Sequence, residues 1–100
     1  MSKIGARLAK LDVHWSPRAQ SSLDETMAHI DAQDVITGRL ILKRLHTALD
    51  LISIQPDIGT RINKRHARRF AIPKTGHTID YLVQSNEILV IRWVRQRQKF

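Results

Sequence analysis

The apolar positions along the chain change period once, near residue 64, and the change divides helices from strands. Before it, Leu11-Asp12-Val13-His14-Trp15 alternates apolar and polar residues, as a short half-buried strand does. Ser16-Pro17 then predicts a helix start. Ser16 stands as the N-cap and Pro17 at the first helical position, where the donor it lacks would be unpaired anyway. Ala19, Leu23, Met27 and Ile30 follow at spacings of four, four and three, which makes one apolar stripe on a helix ending near Ala32. Asp34 is placed to cap a second helix, whose stripe is Ile41, Leu45, Ala48, Leu49 and Ile52 with Leu42 beside it. Gly38 weakens its first turns by up to about 1 kcal/mol relative to alanine. Pro56 and Asp57-Ile58-Gly59 stop that helix and turn the chain. A link as short as that between the two helices predicts an antiparallel hairpin.

Beyond residue 64 the period is two. Arg68, Phe70 and Ile72 point one way, and Arg69 and Ala71 the other. Pro73-Lys74-Thr75-Gly76 breaks the run. Ile79, Tyr81 and Val83 then alternate with Thr78, Asp80, Leu82 and Gln84, and Ser85-Asn86 supplies a hairpin turn because asparagine tolerates positive φ. From Glu87 to Val94 strict alternation puts Leu89, Ile91 and Trp93 on one face and Ile88, Val90, Arg92 and Val94 on the other. Apolar residues on both faces imply a central strand. The reading is β-α-α-β-β-β, an α+β domain: an antiparallel sheet with an N-terminal strand and a helical hairpin on one face. Residues 1–10 read as a short basic extension, and residues 11–100 as the domain itself.

One hundred residues, 42% of them hydrophobic, suffice for one core and leave no room for a second. No apolar run approaches a membrane span, the first residues lack a secretory pattern, and a cytoplasmic location is the expectation. With no cysteine there is neither a disulfide framework nor a thiolate metal site. The charge is more informative. Residues 1–60 carry seven Lys/Arg and seven Asp/Glu, whereas residues 61–100 carry ten Lys/Arg against Asp80 and Glu87 alone, the whole net charge of +8. That asymmetry points to a basic surface facing a polyanion or an acidic protein partner, against the plainer reading of a solvated face.

The ordered set of segments resembles the RelE/ParE superfamily of toxins from type II toxin–antitoxin systems, over about residues 11–98 and closer to its ParE side. Val13-His14-Trp15-Ser16-Pro17-Arg18-Ala19 is similar to the family's first strand and cap, and Leu49 to Gly59 to its exit from the second helix. Arg69-Phe70-Ala71-Ile72-Pro73 is similar to the ParE second strand. Tyr81-Leu82-Val83 and Ile88 through Gln98 are similar to the last hairpin and basic tail. The resemblance implies a cognate antitoxin that binds the toxin in a hetero-oligomer and silences it. It also implies one of two activities: poisoning of DNA gyrase, as ParE-like members do, or ribosome-dependent cleavage of mRNA, as RelE-like members do. A non-toxic nucleic-acid or regulatory binding module on the same scaffold is a third reading that basic charge alone would satisfy.

Metal-free RNA cleavage needs groups that move protons and cations that neutralise developing charge. Arg69 and Arg92 are the candidate cations. The family's nucleases complete such a set with His or Tyr near the end of the last strand, and here Arg95-Gln96-Arg97-Gln98-Lys99-Phe100 holds neither. His66 and His77, in basic surroundings, are the candidate proton carriers, against an ordinary role as surface-loop residues. Whether the chain is a catalyst is left open; a catalyst would be a metal-independent mRNA endoribonuclease. Lys64, Arg65, Arg68, Arg69, Arg92, Arg95 and Arg97 are the expected target- or nucleic-acid-binding set. Arg92 has two readings, a cross-strand pair with Asp80 or a ligand contact. Tyr81, Trp15 and Trp93 read as core. The five histidines lack ligand spacing with one another or with Asp/Glu, and no Gly-rich loop follows a strand, so no metal and no other cofactor is expected.

Overall fold

A computed structural model describes residues 10–62 and 66–96. Strand β1, Asp12–Trp15, leads into helix α1, Pro17–Gln33, and helix α2, Val35–Ile54. A short 3-10 turn, Pro56–Ile58, precedes β2, Thr60–Arg61, and the strands β3, Arg68–Ile72, β4, His77–Gln84, and β5, Glu87–Arg95. The sheet order is β1-β5-β4-β3-β2. The expected α+β class stands, with the helical hairpin on one face of the sheet.

The helix boundaries follow from their caps. Ser16 Oγ accepts from the Ala19 N–H at 3.1 Å. A single residue, Asp34, joins the helices and serves both. Its N–H donates to the Ile30 carbonyl at 2.8 Å, closing α1. Its carboxylate accepts from the Ile36 N–H at 3.0 Å and the Thr37 hydroxyl at 2.8 Å, opening α2. The Thr37 hydroxyl first, then the backbone donors, hold the Asp34 carboxyl below the usual carboxylate range. Gly38 faces α1 closely, for a Cβ there would fall on the Asp31 carboxylate. Its cost in propensity is thus matched by closer approach of the two helices.

Both predicted stripes enter the core. Ala19 and Leu23 of α1 and Ile41, Leu45, Ala48, Leu49 and Ile52 of α2 pack on Ile72, Ile79, Tyr81, Ile88, Val90 and Trp93 of the sheet. Met27, Ile30 and Leu42 border that cluster. Among the described residues, no helix is long and apolar enough to cross a membrane.

Besides the two-residue edge strand β2, which makes five strands where the β-α-α-β-β-β order has four, two features depart from strict expectation. The sheet is mixed, because β1 runs parallel to β5, with Asp12 opposite Glu87 and Trp15 opposite Val90. The other pairings are antiparallel. Tight turns impose antiparallel pairing on β3, β4 and β5; Ser85 and Asn86, both at positive φ, make the turn between the last two. No turn joins β1 to β5, and the direction of β1 is set by the helical hairpin between them. The second departure is in β5. Tyr81 pairs with Val90 but Asp80 pairs with Arg92, so Ile91 is an extra residue in the ladder, a β-bulge. The alternation therefore slips by one. Trp93 joins Ile88 and Val90 in the core, and Arg92 is on the opposite face instead of interrupting an apolar one.

Candidate target-binding surface

The sheet face away from the helices carries a row of three charged residues. Register places Asp80 of β4 between Arg69 of β3 and Arg92 of β5. Asp80 is 1% exposed. It accepts from Arg69 Nε at 2.7 Å and from Arg69 Nη2 at 3.0 Å, a two-pronged pair, while Arg92 Nη1 stands 3.9 Å away. The hydrogen bond to Asp80 holds the Arg69 guanidinium still more firmly protonated than usual. The arginine side chains stay 45% and 59% exposed, so the row presents a buried carboxylate flanked by two cations open to a partner. The Arg92–Asp80 contact exists, but Arg69 is the main partner of Asp80 and Arg92 is the freer cation.

Because β1 pairs only with residues 87–90 of β5, a groove of about 680 Å³ opens beside residues 91–95, against the start of α1. Arg18, Ser22, Arg92 and Arg95 line it. Arg18 is the cation that sequence reasoning missed. It reads as an ordinary exposed residue of a first helical turn, and only the short β1 brings it beside β5.

The other expected residues are placed differently. Arg68 faces the helix side and is used by the fold. Its Nη1 donates to the carbonyls of Asp57 at 3.0 Å and Gly59 at 2.7 Å. His77 is also on the helix side, opposite Arg95, 7% exposed and stacked on Trp93 with centroids 4.6 Å apart. His66, exposed and at φ 66°, is in the connection between β2 and β3. Lys64, Arg65 and Arg97 lie outside the described residues, as do positions 1–9 of the expected basic extension. Asp12, His14 and Glu87 converge at the edge of the sheet, which spacing within the sequence did not show because parallel pairing brings Glu87 from the far end of the chain.

Burial pushes the His77 imidazole below its ordinary value; Arg95 acts in the same direction, and the Thr75 contact against it. In the neutral ring Nδ1 donates to the Thr75 carbonyl at 3.0 Å, leaving the lone pair on Nε2. A depressed histidine makes the unfolded chain the better proton acceptor. The contribution of His77 to stability is therefore complete above about pH 6.5 and declines as pH falls from there towards the folded-state value. Denaturant midpoints should drop between pH 7.5 and 5.5, and the drop should be smaller in His77→Phe. Equal slopes in the two proteins would remove His77 as the cause.

A mixed sheet backed by a two-helix hairpin, with arginines on its open face and edge, is the architecture that the resemblance to the RelE/ParE superfamily implied. The chain belongs to the ParE toxin family: the family model described as ParE toxin of type II toxin-antitoxin system, parDE, matches residues 13–100. No curated sequence matches the chain. A solved structure described as "Chromosomal ParDE TA system from P. aeruginosa" is similar in fold, with a TM-score of 0.74 over 88% of this chain and 98% of that one, at 13% identity.

Proposed function

We propose that this chain is a DNA gyrase poison whose open sheet face docks on its target and which a cognate antitoxin neutralises. The observation that carries the reading is the Arg69–Asp80–Arg92 row, where two half-exposed guanidinium groups flank a carboxylate already committed to one of them. Two buried proton carriers, His77 and Tyr81, stand apart from this row. His77 is on the opposite face, stacked on Trp93, and the Tyr81 hydroxyl is held by backbone groups of Pro56 and Gly59. Such a surface suits recognition of an acidic or hydrogen-bonding partner better than in-line RNA cleavage. Gyrase supercoiling of relaxed plasmid, run beside primer extension on translated mRNA, tests it. Inhibited supercoiling with intact mRNA is expected; cleavage at codon boundaries with normal supercoiling would establish the nuclease reading instead. Neither effect, with growth unharmed, would leave the binding-module reading.

Neutralisation has its own surface in this proposal. A groove of about 320 Å³ runs between α2 and β3, with Leu40, Leu51, Phe70 and Pro73 as its apolar lining and Lys43 and Arg44 as its cations. Leu40 and Leu51 are 43% and 39% exposed. An apolar floor with cationic neighbours fits an antitoxin segment that alternates apolar and acidic residues. The double substitution Leu40→Asp and Leu51→Asp should weaken antitoxin binding by a factor of about ten or more, since that corresponds to only about 1.4 kcal/mol. Stability should change little, the positions being exposed. Unchanged affinity in a calorimetric titration would place the antitoxin elsewhere.

A further inference from the structure

The parallel pairing of β1 with β5 produces a cluster that belongs neither to the arginine row nor to the apolar groove. Asp12 and His14 are two residues apart on β1 and share the face turned away from the core, since Val13 and Trp15 between and beyond them pack inward. Glu87, first residue of β5, is directly opposite Asp12. One ligand atom from each of the three side chains lies within 4.8 Å of the other two, and His14 Nε2 is 3.5 Å from Glu87 Oε2. All three are exposed.

The arrangement has an electrostatic cost that, among the described residues, only His14 offsets. Asp12 and Glu87 are like charges directly opposite on neighbouring strands, a pairing that destabilises a sheet. In a chain of net charge +8, such a pair would be expected to attract a lysine or arginine. Among the described residues, however, only His14 comes within ion-pair distance of either carboxylate. Two carboxylates and an imidazole whose donor atoms converge are a ready set for a divalent cation, which would convert the repulsion into shared coordination.

We propose that Asp12, His14 and Glu87 form a divalent metal site of the borderline class represented by Zn²⁺. Carboxylates alone suit magnesium, calcium or manganese, but the imidazole shifts the preference towards zinc, nickel or copper, and zinc also takes Asp and Glu oxygens as ligands. Zinc sits about 2.0–2.2 Å from nitrogen and oxygen donors, which places neighbouring donors about 3.4 Å apart in a tetrahedral site. His14 and Glu87, 3.5 Å apart, already stand near that spacing, and no pair of donors, all within 4.8 Å, needs to close by more than about 1.4 Å, a movement within the rotamer freedom of exposed side chains. Solvent supplies the remaining coordination. The bound ion staples the edge strand β1 to β5 and replaces the like-charge contact at their shared start.

The test uses the full chain without a histidine tag, titrated with ZnCl₂ in metal-free buffer by calorimetry, with the thermal midpoint read in parallel. One ion per chain should bind with saturation below about 100 μM, and the midpoint should rise with zinc concentration. His14→Ala and Glu87→Gln should each lower the affinity by a factor of about ten or more, as loss of one of three donors requires. His46→Ala, on the exposed side of α2, should bind as the parent does. Circular dichroism establishes that each variant is folded, which substitution at exposed positions permits. Absence of saturable binding below that concentration, or undiminished affinity in either His14→Ala or Glu87→Gln, overturns the site.

Discussion

Replacing Tyr81 by alanine is expected to lower stability by about 3–5 kcal/mol, the largest effect of any substitution considered. Tyr81 is fully buried at the centre of the sheet, opposite Arg68 on one side and Val90 on the other. Its hydroxyl donates to the Pro56 carbonyl at 2.7 Å and accepts from the Gly59 N–H at 2.9 Å. It therefore ties the turn after α2 to the sheet, and Arg68 reinforces the same turn from β3. Burial raises the Tyr81 hydroxyl above its ordinary value, so it remains a donor throughout the neutral range. Gly59 is matched to this contact, for a Cβ there would come 2.7 Å from the Tyr81 oxygen. Tyr81→Phe separates the parts. It keeps the ring and leaves two backbone groups without their partner, at an expected cost of about 1–3 kcal/mol. Urea unfolding measures both, and a phenylalanine variant as stable as the parent would show that the hydroxyl contacts contribute nothing.

The second large effect concerns Arg69. Arg69→Ala leaves the Asp80 carboxylate buried with only the 3.9 Å contact to Arg92, and should cost about 2–4 kcal/mol. For a domain of this size that is a fall in thermal midpoint of roughly 8 °C or more. Asp80→Ala should cost less, because a guanidinium already 45% exposed can turn to water. The double variant should be more stable than the sum of the two losses implies, giving a coupling of about 2 kcal/mol in a double-mutant cycle. Additive losses would mean that the pair is not a unit. One consequence bears on function: lost toxicity in Arg69→Ala would not by itself assign Arg69 to the target interface, because stability falls as well.

Much of the architecture was legible in the residues. Ser16-Pro17 announced α1, the two apolar stripes entered the core as predicted, and Ser85-Asn86 made the expected turn, because capping and turn chemistry are local. The β-bulge at Ile91 was not legible. Ile88 to Ile91 is an unbroken apolar run, so no polar residue marks where the alternation slips. The direction of β1 was equally silent, being decided by helix packing seventy residues before its partner strand. The candidate surface shows the same division. Residue type singled out Arg69 and Arg92 as candidate cations and offered Asp80 as a partner for Arg92, but only the register shows that Arg69 meets Asp80 as well and is the one that holds it. Arg68, next in sequence to Arg69, alternates to the other face and is used by the turn at Gly59. Arg18 and the Asp12–His14–Glu87 cluster depend on contacts between distant segments that no spacing reveals.

Arg92 offers the most direct test, since it is 59% exposed and its contact with Asp80 is long. Gyrase supercoiling should be assayed with the parent chain and with Arg92→Glu at matched concentrations, after checking that their thermal midpoints agree within a few degrees. Reversing that one charge should abolish inhibition while the protein stays folded. Full inhibition by folded Arg92→Glu would contradict the assignment of the open sheet face as the docking surface.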